Sequence, residues 1–363
     1  MKRVIRVFVL AALLFGIYDA SATGKNDRKY VDASTLTIVN KAQDDGLTYN
    51  RIDTSKYKLT ENERNALSLG TGLAITFTTN SRAIHARWTT KNTVQGLNMT
   101  PILHSGLDLY IRDNGEWVYA GVARPNISDT KHECTLVKRM VEGEKECMLY
   151  LPMFNELYLL EIGVDEGATI APMPSPFKYK IMFVGSSLTH GASSSRPGAC
   201  YVARMGRALN AETPNIGMSG RCKLDDYFAD IVCDSKADAY IFDTFSNPTD
   251  KNIEDRLYNF VKRITSAHPD KPMIFLQTLI HDKAYFDLGT RKRNDNQRDA
   301  AVKGMKQVCK EFKNVYFINP GFDVGSDHEG TIDGSHLNDL GVYRTLQTAL
   351  PKVKKILKKY GIK

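Results

Sequence analysis

Three prolines spaced one residue apart, in Ala171-Pro172-Met173-Pro174-Ser175-Pro176, separate two stretches of this chain that follow different hydrophobic rhythms. Each proline fixes its own φ and lacks an N–H, so the segment is not expected to join a sheet ladder, and it predicts a stiff connector over 171–177. Before it, apolar and polar residues alternate in short runs: Leu73 to Thr78, Ile84 to Trp88, Leu107 to Arg112, Glu116 to Ala120, Met148 to Leu151 and Leu157 to Val164. A period of two marks half-buried strands. Between two of these runs, Asn114-Gly115 supplies the residue pair that a two-residue hairpin turn with positive φ demands. The spacing predicts an antiparallel β-sandwich domain over 23–170.

After the connector, apolar runs alternate with amphipathic segments. Tyr179 to Val184, Ala239 to Phe245, Met273 to Leu279 and Val315 to Ile318 read as buried strands; Ile253, Leu257, Val261 and Ile264 mark one helical face, and Ala301, Met305, Val308 and Phe312 another. Strict alternation of strand and helix implies an α/β domain over 178–363, a parallel sheet with helices on both faces. Such sheets bind ligands beyond the carboxyl ends of their strands.

The first segment speaks to destination. Lys2, Arg3 and Arg6 precede the apolar run Val7 to Tyr18, and Ala20-Ser21-Ala22 offers small residues for cleavage, so residues 1–22 read as a removed signal peptide. The apolar run falls short of the roughly 20 residues that a membrane span needs, and no stable span is expected after cleavage. The formal net charge is +8, and six lysines fall in the last thirteen residues. There, Val353, Ile356, Leu357 and Tyr360 recur at helical spacing, so the lysines read as the wet face of a terminal helix. Without interleaved aromatics they do not suggest nucleic acid. The six cysteines show no metal-ligand spacing. Cys134 and Cys147 flank the polar segment Val141 to Lys145, which reads as a hairpin; in an exported protein the pair could form a cross-strand bridge or remain as thiols.

Ser187 lies just past the first strand of the second half, in Phe183-Val184-Gly185-Ser186-Ser187-Leu188-Thr189-His190-Gly191. Small residues let a serine hydroxyl stand on an exposed turn, yet a hydroxyl is a weak nucleophile without a base and oxyanion donors. Three later stretches supply those residue types. Asn215-Ile216-Gly217-Met218-Ser219-Gly220 reads as a glycine-bearing turn suited to presenting N–H groups, Phe245-Ser246-Asn247-Pro248 ends a strand in an amide, and Asp333-Gly334-Ser335-His336 sets a carboxylate three residues from an imidazole. Each alone is ordinary loop composition.

In this order and spacing the four stretches resemble the GDSL, or SGNH, hydrolase family. Gly185-Ser186-Ser187-Leu188 is similar to its first block with serine in place of aspartate, Gly220 to the second-block glycine, Asn247 to the third-block asparagine, and Asp333 with His336 to the closing Asp-x-x-His. Gly106-Leu107-Asp108-Leu109-Tyr110 resembles the Gly-x-Asp-Leu-Tyr motif of the β-rich domain that precedes the catalytic domain in one subgroup. Leu107, Leu109 and Tyr110 read physically as inward-packing residues at the edge of a strand.

The resemblance implies a serine esterase of three-layer α/β/α fold. Ser187 would be the nucleophile, His336 the base and Asp333 its orienting carboxylate, with the Ser187 N–H, the Gly220 N–H and the Asn247 amide as the oxyanion hole. It implies no cofactor and no metal. It further implies export to a bacterial periplasm or beyond, and an acylated carbohydrate or other small ester as substrate. A lipid acylhydrolase or thioesterase, or an inactive glycan-binding protein, are the alternatives. Arg221 would favour an anionic substrate if it faces the cleft rather than solvent. His190, although beside the nucleophile, is poorly placed to act as the base, while His281 and His328 read as peripheral hydrogen-bonding residues.

Overall fold

The computed structural model describes residues 28–363, so the expected signal peptide lies outside the described residues. Ten strands build the N-terminal half: Arg28–Asp32 (β1), Thr37–Val39 (β2), Ala74–Thr79 (β3), Ile84–Thr90 (β4), Leu107–Asp113 (β5), Glu116–Ala123 (β6), Lys131–Val137 (β7), Lys145–Tyr150 (β8), Leu157–Asp165 (β9) and Ile170–Pro172 (β10). They form two antiparallel sheets, β1-β9-β4-β7 and β10-β3-β8-β5-β6, with β2 beside β3. The inward alternate positions interlock Ile75, Phe77, Leu107, Leu109 and Leu149 with Ile84, Ala86, Trp88, Leu160 and Ile162. This is the predicted sandwich. Between β5 and β6, Asn114 and Gly115 both adopt positive φ, 48° and 85°, as a two-residue hairpin turn requires.

Two expectations fail here for topological reasons. Cys134 and Cys147 do not flank a hairpin: β7 pairs with β4 in one sheet and β8 with β3 and β5 in the other, and both cysteines are free thiols. The stretch between them crosses from sheet to sheet. The first proline of the connector also joins a ladder, because β10 is an edge strand in which Pro172 stands opposite Phe77. An edge position has one side that needs no N–H.

In the second half, Tyr179–Gly185 (β11), Ala211–Glu212 (β12), Asn215–Gly217 (β13), Ala239–Asp243 (β14), Met273–Leu276 (β15) and Val315–Ile318 (β16) form one parallel sheet in the order β12-β11-β14-β15-β16, with β13 also pairing with β11. Asn215-Ile216-Gly217, read from sequence as turn, is thus itself a strand. Two short helices, Glu61–Leu67 (α1) and Pro101–Ser105 (α2), belong to the first half. Ser187–His190 (α3), Tyr201–Leu209 (α4), Asp226–Asp234 (α5), Asp250–Ala267 (α6), Leu288–Glu311 (α7) and Asp339–Lys358 (α8) follow. Strand alternation sends Ile181, Phe183, Ile241 and Ile274 to the face covered by α4 and α8, and Met182, Val184, Phe242 and Phe275 to the face covered by α5, α6 and α7. Three layers result. The α6 helix starts from a Thr249 cap reciprocated by Asn252 and buries Ile253, Leu257, Val261 and Ile264, the face expected from its spacing.

The halves share a core. Leu103, Tyr110, Met148, Tyr150 and Met153 of the sandwich pack in one cluster with Phe183, Leu188, Cys200 and Tyr201. Beside it sits a polar latch built from the Gly-x-Asp-Leu-Tyr stretch. The buried Asp108 carboxylate accepts from Arg196 Nη1 at 2.7 Å and from the Gly198 N–H at 2.8 Å, while Arg196 also donates to the Tyr110 hydroxyl at 2.6 Å. Arg207 lies over the Tyr110 ring, 4.0 Å from its centroid. Strand β5 lies between β8 and β6. Leu107 and Leu109 do face the sandwich core, but Asp108 and Tyr110 face the α/β half.

Candidate active site

Strand β11 ends at Gly185, where the chain turns at once into α3. A Cβ on Gly185 would lie 2.3 Å from Thr189 Oγ1 and 2.8 Å from Asp243 Cβ, so a residue without a side chain is needed for this close return. Ser186 caps the turn, its hydroxyl oxygen accepting from the Leu188 N–H at 3.1 Å. Ser187 opens α3 with 9% of its surface exposed. Behind the turn, the fully buried Asp243 accepts from the Ser186 N–H at 3.2 Å, from the Thr189 hydroxyl at 3.2 Å and from the Ser246 hydroxyl at 2.6 Å. It also accepts from the Ser186 hydroxyl, at 2.5 Å. Burial pushes the Asp243 carboxyl up, and these donors oppose the shift.

The three residues at opposite ends of the α/β half meet. His336 Nε2 lies 2.9 Å from Ser187 Oγ, and His336 Nδ1 lies 2.7 Å from Asp333 Oδ2. Because a carboxylate only accepts, Nδ1 carries the proton, and Nε2 is left to accept from the serine hydroxyl. The turn that holds this pair is local: Asp333 Oδ1 accepts from the Ser335 N–H at 3.1 Å and the His336 N–H at 2.9 Å, with Gly334 at φ +82°. Partial burial pushes the Asp333 carboxyl up, but hydrogen bonds from the His336 ring, the His336 N–H and Asn98 outweigh it and hold it at about 2. Asn98 comes from the sandwich half and donates to Asp333 Oδ2 at 3.0 Å. Nothing in the sequence around Asn98 marks it.

Past β13, the Arg221 N–H donates to the Met218 carbonyl at 3.1 Å, closing a β-turn in which Gly220 has φ +69°. A Cβ there would meet nothing within 4 Å, so the glycine serves the left-handed backbone rather than a tight fit. The Asn247 amide donates to the Arg221 carbonyl, tying the end of β14 to this turn. An amide has two N–H groups, so a second donor is left on Asn247. Arg221 is half-buried.

Support for the turn comes from residues that the motifs do not contain. Arg51, wholly buried, donates from Nη1 to the carbonyls of Asn215 at 2.8 Å and Gly217 at 2.9 Å, and from Nη2 to that of Ala66. His190 is buried between the sandwich and the turn: Nε2 lies 3.2 Å from the Met153 carbonyl, and Nδ1 accepts from the Ser219 N–H at 3.2 Å. Its ring stacks on Phe154 at 4.0 Å. Burial, aided by the Arg51 charge, holds the imidazole well below its ordinary value and so neutral. His190 therefore does not face Ser187 as a base. His281 lies behind the Asp333–His336 turn, with Nδ1 3.2 Å from the Ser335 hydroxyl, and burial lowers it to about 4. A cavity of about 390 Å³ adjoins it, lined in part by Ile280, Asp282, Tyr285, Arg291 and His328. Among the described residues no cluster of three or more His, Cys, Asp or Glu is grouped to hold a metal, and no helix is long and apolar enough to cross a membrane.

A sandwich packed on a three-layer α/β domain, with a serine at the end of the first strand of the parallel sheet, defines a serine ester hydrolase. The chain belongs to the GDSL-like lipase/acylhydrolase family, whose description matches residues 178–354, while that of the GxDLY N-terminus of SGNH-hydrolase-type esterases matches residues 28–170. A GDSL-like protein from Bacteroides ovatus ATCC 8483 of known crystal structure is similar at 42% identity over 92% of this chain and 98% of its own, with a TM-score of 0.88. The salicylyl-acyltransferase SsfX3 from a tetracycline biosynthetic pathway shares the fold at 18% identity, over 92% of this chain and 98% of that one, with a TM-score of 0.72. A family two carbohydrate esterase from Cellvibrio japonicus shares it at 12% identity, over 91% and 98%, with a TM-score of 0.58. No curated protein matches the chain by sequence.

Proposed function

We propose that the protein is an exported esterase that removes acetyl or similarly short acyl groups from carbohydrate. The observation that carries its chemistry is the unbroken chain of hydrogen bonds from Ser187 through His336 to Asp333. In this reading, His336 takes the Ser187 proton as the hydroxyl attacks the ester carbonyl, and Asp333 stabilises the imidazolium that forms. The tetrahedral oxyanion is met by the N–H groups of Ser187 and Gly220 and by the amide N–H that Asn247 does not spend on Arg221. Collapse releases the alcohol, which takes its proton from His336 Nε2, and leaves an acyl-enzyme. Water then attacks, passing its proton to the same nitrogen, and the acid departs as Ser187 Oγ takes that proton back from His336.

Export is inferred from the basic, apolar and small-residue succession of residues 1–22. The carbohydrate preference draws on the fold shared with a carbohydrate esterase. It also draws on the cavity behind the triad turn, where an exposed Tyr285 ring borders polar Asp282 and His328. Such a surface suits a sugar, apolar on its ring face and polar at its hydroxyls. Because SsfX3 is an acyltransferase, the acceptor that resolves the acyl-enzyme should be measured directly.

A fluorophosphonate probe should label Ser187 and no other residue, and Ser187→Ala should abolish both labelling and ester hydrolysis. Hydrolysis intact in Ser187→Ala would remove Ser187 from the mechanism. Acetate release from acetylated polysaccharides, with little turnover of long-chain esters, is expected; the opposite preference would overturn the carbohydrate assignment.

A further inference from the structure

The sandwich half reaches the reaction machinery at a point that the motif residues leave unexplained. Gly220 can present its N–H only if the turn around it is held; Met218 and Cys222 bury their side chains in the α/β core on either side of it, and Asn247 grips the Arg221 carbonyl. At the middle of the turn the anchor is the Ser219 N–H, received by His190 Nδ1 at 3.2 Å, with the Ser219 hydroxyl also 3.1 Å from that nitrogen. The opposite ring nitrogen faces the Met153 carbonyl at 3.2 Å. A carbonyl can only accept, so Nε2 must bear the hydrogen, which leaves Nδ1 as the acceptor that the Ser219 N–H needs. Phe154, from the same sandwich loop as Met153, stacks on the ring at 4.0 Å and 22°. His190 is also the last residue of the helical turn that Ser187 opens. Its backbone is wedged against Gly217, where a Cβ would come within 2.2 Å of the His190 nitrogen.

We propose that His190 is a positioning residue for the oxyanion hole, and that the N-terminal sandwich, through the Met153 carbonyl and the Phe154 ring, sets its tautomer and orientation. One imidazole thus fixes the nucleophile's helix and the Ser219-Gly220 turn relative to each other, using the sandwich as the reference surface. By consuming the Ser219 N–H, it leaves the Gly220 N–H as the donor for the substrate oxygen. The inference rests on the reading of Ser187 as nucleophile and Gly220 as oxyanion donor.

Two variants of the full chain separate positioning from packing. His190→Phe keeps a ring against Phe154 and removes both ring nitrogens; His190→Asn gives up the ring and returns an acceptor near the place of Nδ1. With p-nitrophenyl acetate, His190→Phe should lower kcat by about 10- to 10²-fold with KM changed less than twofold, somewhat less than outright loss of an oxyanion donor. His190→Asn should recover several-fold of that kcat despite its poorer packing. A wild-type kcat in folded His190→Phe, or His190→Asn no faster than His190→Phe, would overturn the proposal. Should the variants fail to fold, imidazole ¹⁵N shifts of the wild-type protein decide: a neutral Nε2–H tautomer from pH 5 to 8 is required, and the Nδ1–H tautomer or a titrating ring refutes it. Ser187→Ala run alongside keeps the cases apart. Turnover surviving in Ser187→Ala defeats the reading of the site, whereas an inactive Ser187→Ala beside a wild-type-like His190→Phe defeats this inference alone.

Discussion

Replacing Arg196 with methionine should loosen the join between the halves, and more at alkaline than at acidic pH. Asp108 has a fully buried side chain whose Oδ2 is satisfied by Arg196 at 2.7 Å and the Gly198 N–H, while Oδ1 has no partner. Breaking a buried ion pair by removing one partner costs about 3–5 kcal/mol, because the other charge is left uncompensated. The Arg196 side chain keeps 25% of its surface exposed, and the screening this allows argues for about 2–3 kcal/mol. With an m-value of about 3 kcal/mol per molar, the urea midpoint should fall by up to about 1 M. Burial already raises the Asp108 carboxyl and Arg196 pulls it back, so without Arg196 it rises further. Between the unfolded value, about 3.9, and that raised value, the folded variant binds more protons than the unfolded chain, so its stability falls as pH rises. Urea unfolding of both proteins at pH 5 and pH 8 should show the larger gap at pH 8, and Asp108→Asn in the Arg196→Met background should restore most of the loss. An equal gap at both pH values, or no rescue, would refute the argument that an uncompensated carboxylate is what the variant suffers.

Asn247→Ala should lower kcat for acetyl esters by about 10²- to 10³-fold through loss of an oxyanion donor, and a change confined to KM would contradict its role. Asp333, held at about 2, stays ionised above pH 4 and should add no acid limb of its own to a kcat/KM profile there. Asp333 should also contribute stability that is present above its unfolded value of about 3.9 and lost as pH falls toward 2, which acid unfolding of Asp333→Asn beside wild type would check. Because Cys134 and Cys147 are free and belong to different sheets, reductant should leave the melting temperature unchanged, and a drop of several degrees would mean that they are bridged.

Much of the architecture was legible because its causes are local. Period-two runs became sandwich strands, Asn114-Gly115 made the hairpin its φ values demand, and the spacing of Ile253, Leu257, Val261 and Ile264 set the buried face of α6. Residue order also pointed to the meeting of Ser187 with the Asp333-His336 pair, which lies far from it in the chain and within hydrogen-bond reach of it in space. Illegible features depend on which half touches which. Tyr110 read as an inward-packing strand residue and Asp108 only as part of a motif until the α/β half supplied Arg196 and Gly198. Asn98, Arg51 and Met153 carry no pattern, since one of them uses an amide in a loop, another a buried guanidinium, and the last only its carbonyl. The supposed Cys134–Cys147 hairpin failed because a short polar stretch links strands of one sheet and strands of facing sheets equally well.

The apolar cluster that runs from Leu103, Tyr110 and Met153 into Phe183, Leu188 and Tyr201 has a consequence for descent as well as for stability. Neither half has a finished surface on that side, so separating the two would expose this apolar cluster to water. A recombination breakpoint at the proline-rich connector would look neutral in sequence yet bring together two faces never fitted to each other. Relatives should accordingly vary freely on the outer sheet of the sandwich, and change Tyr110 or Met153 only when their partners across the seam change too.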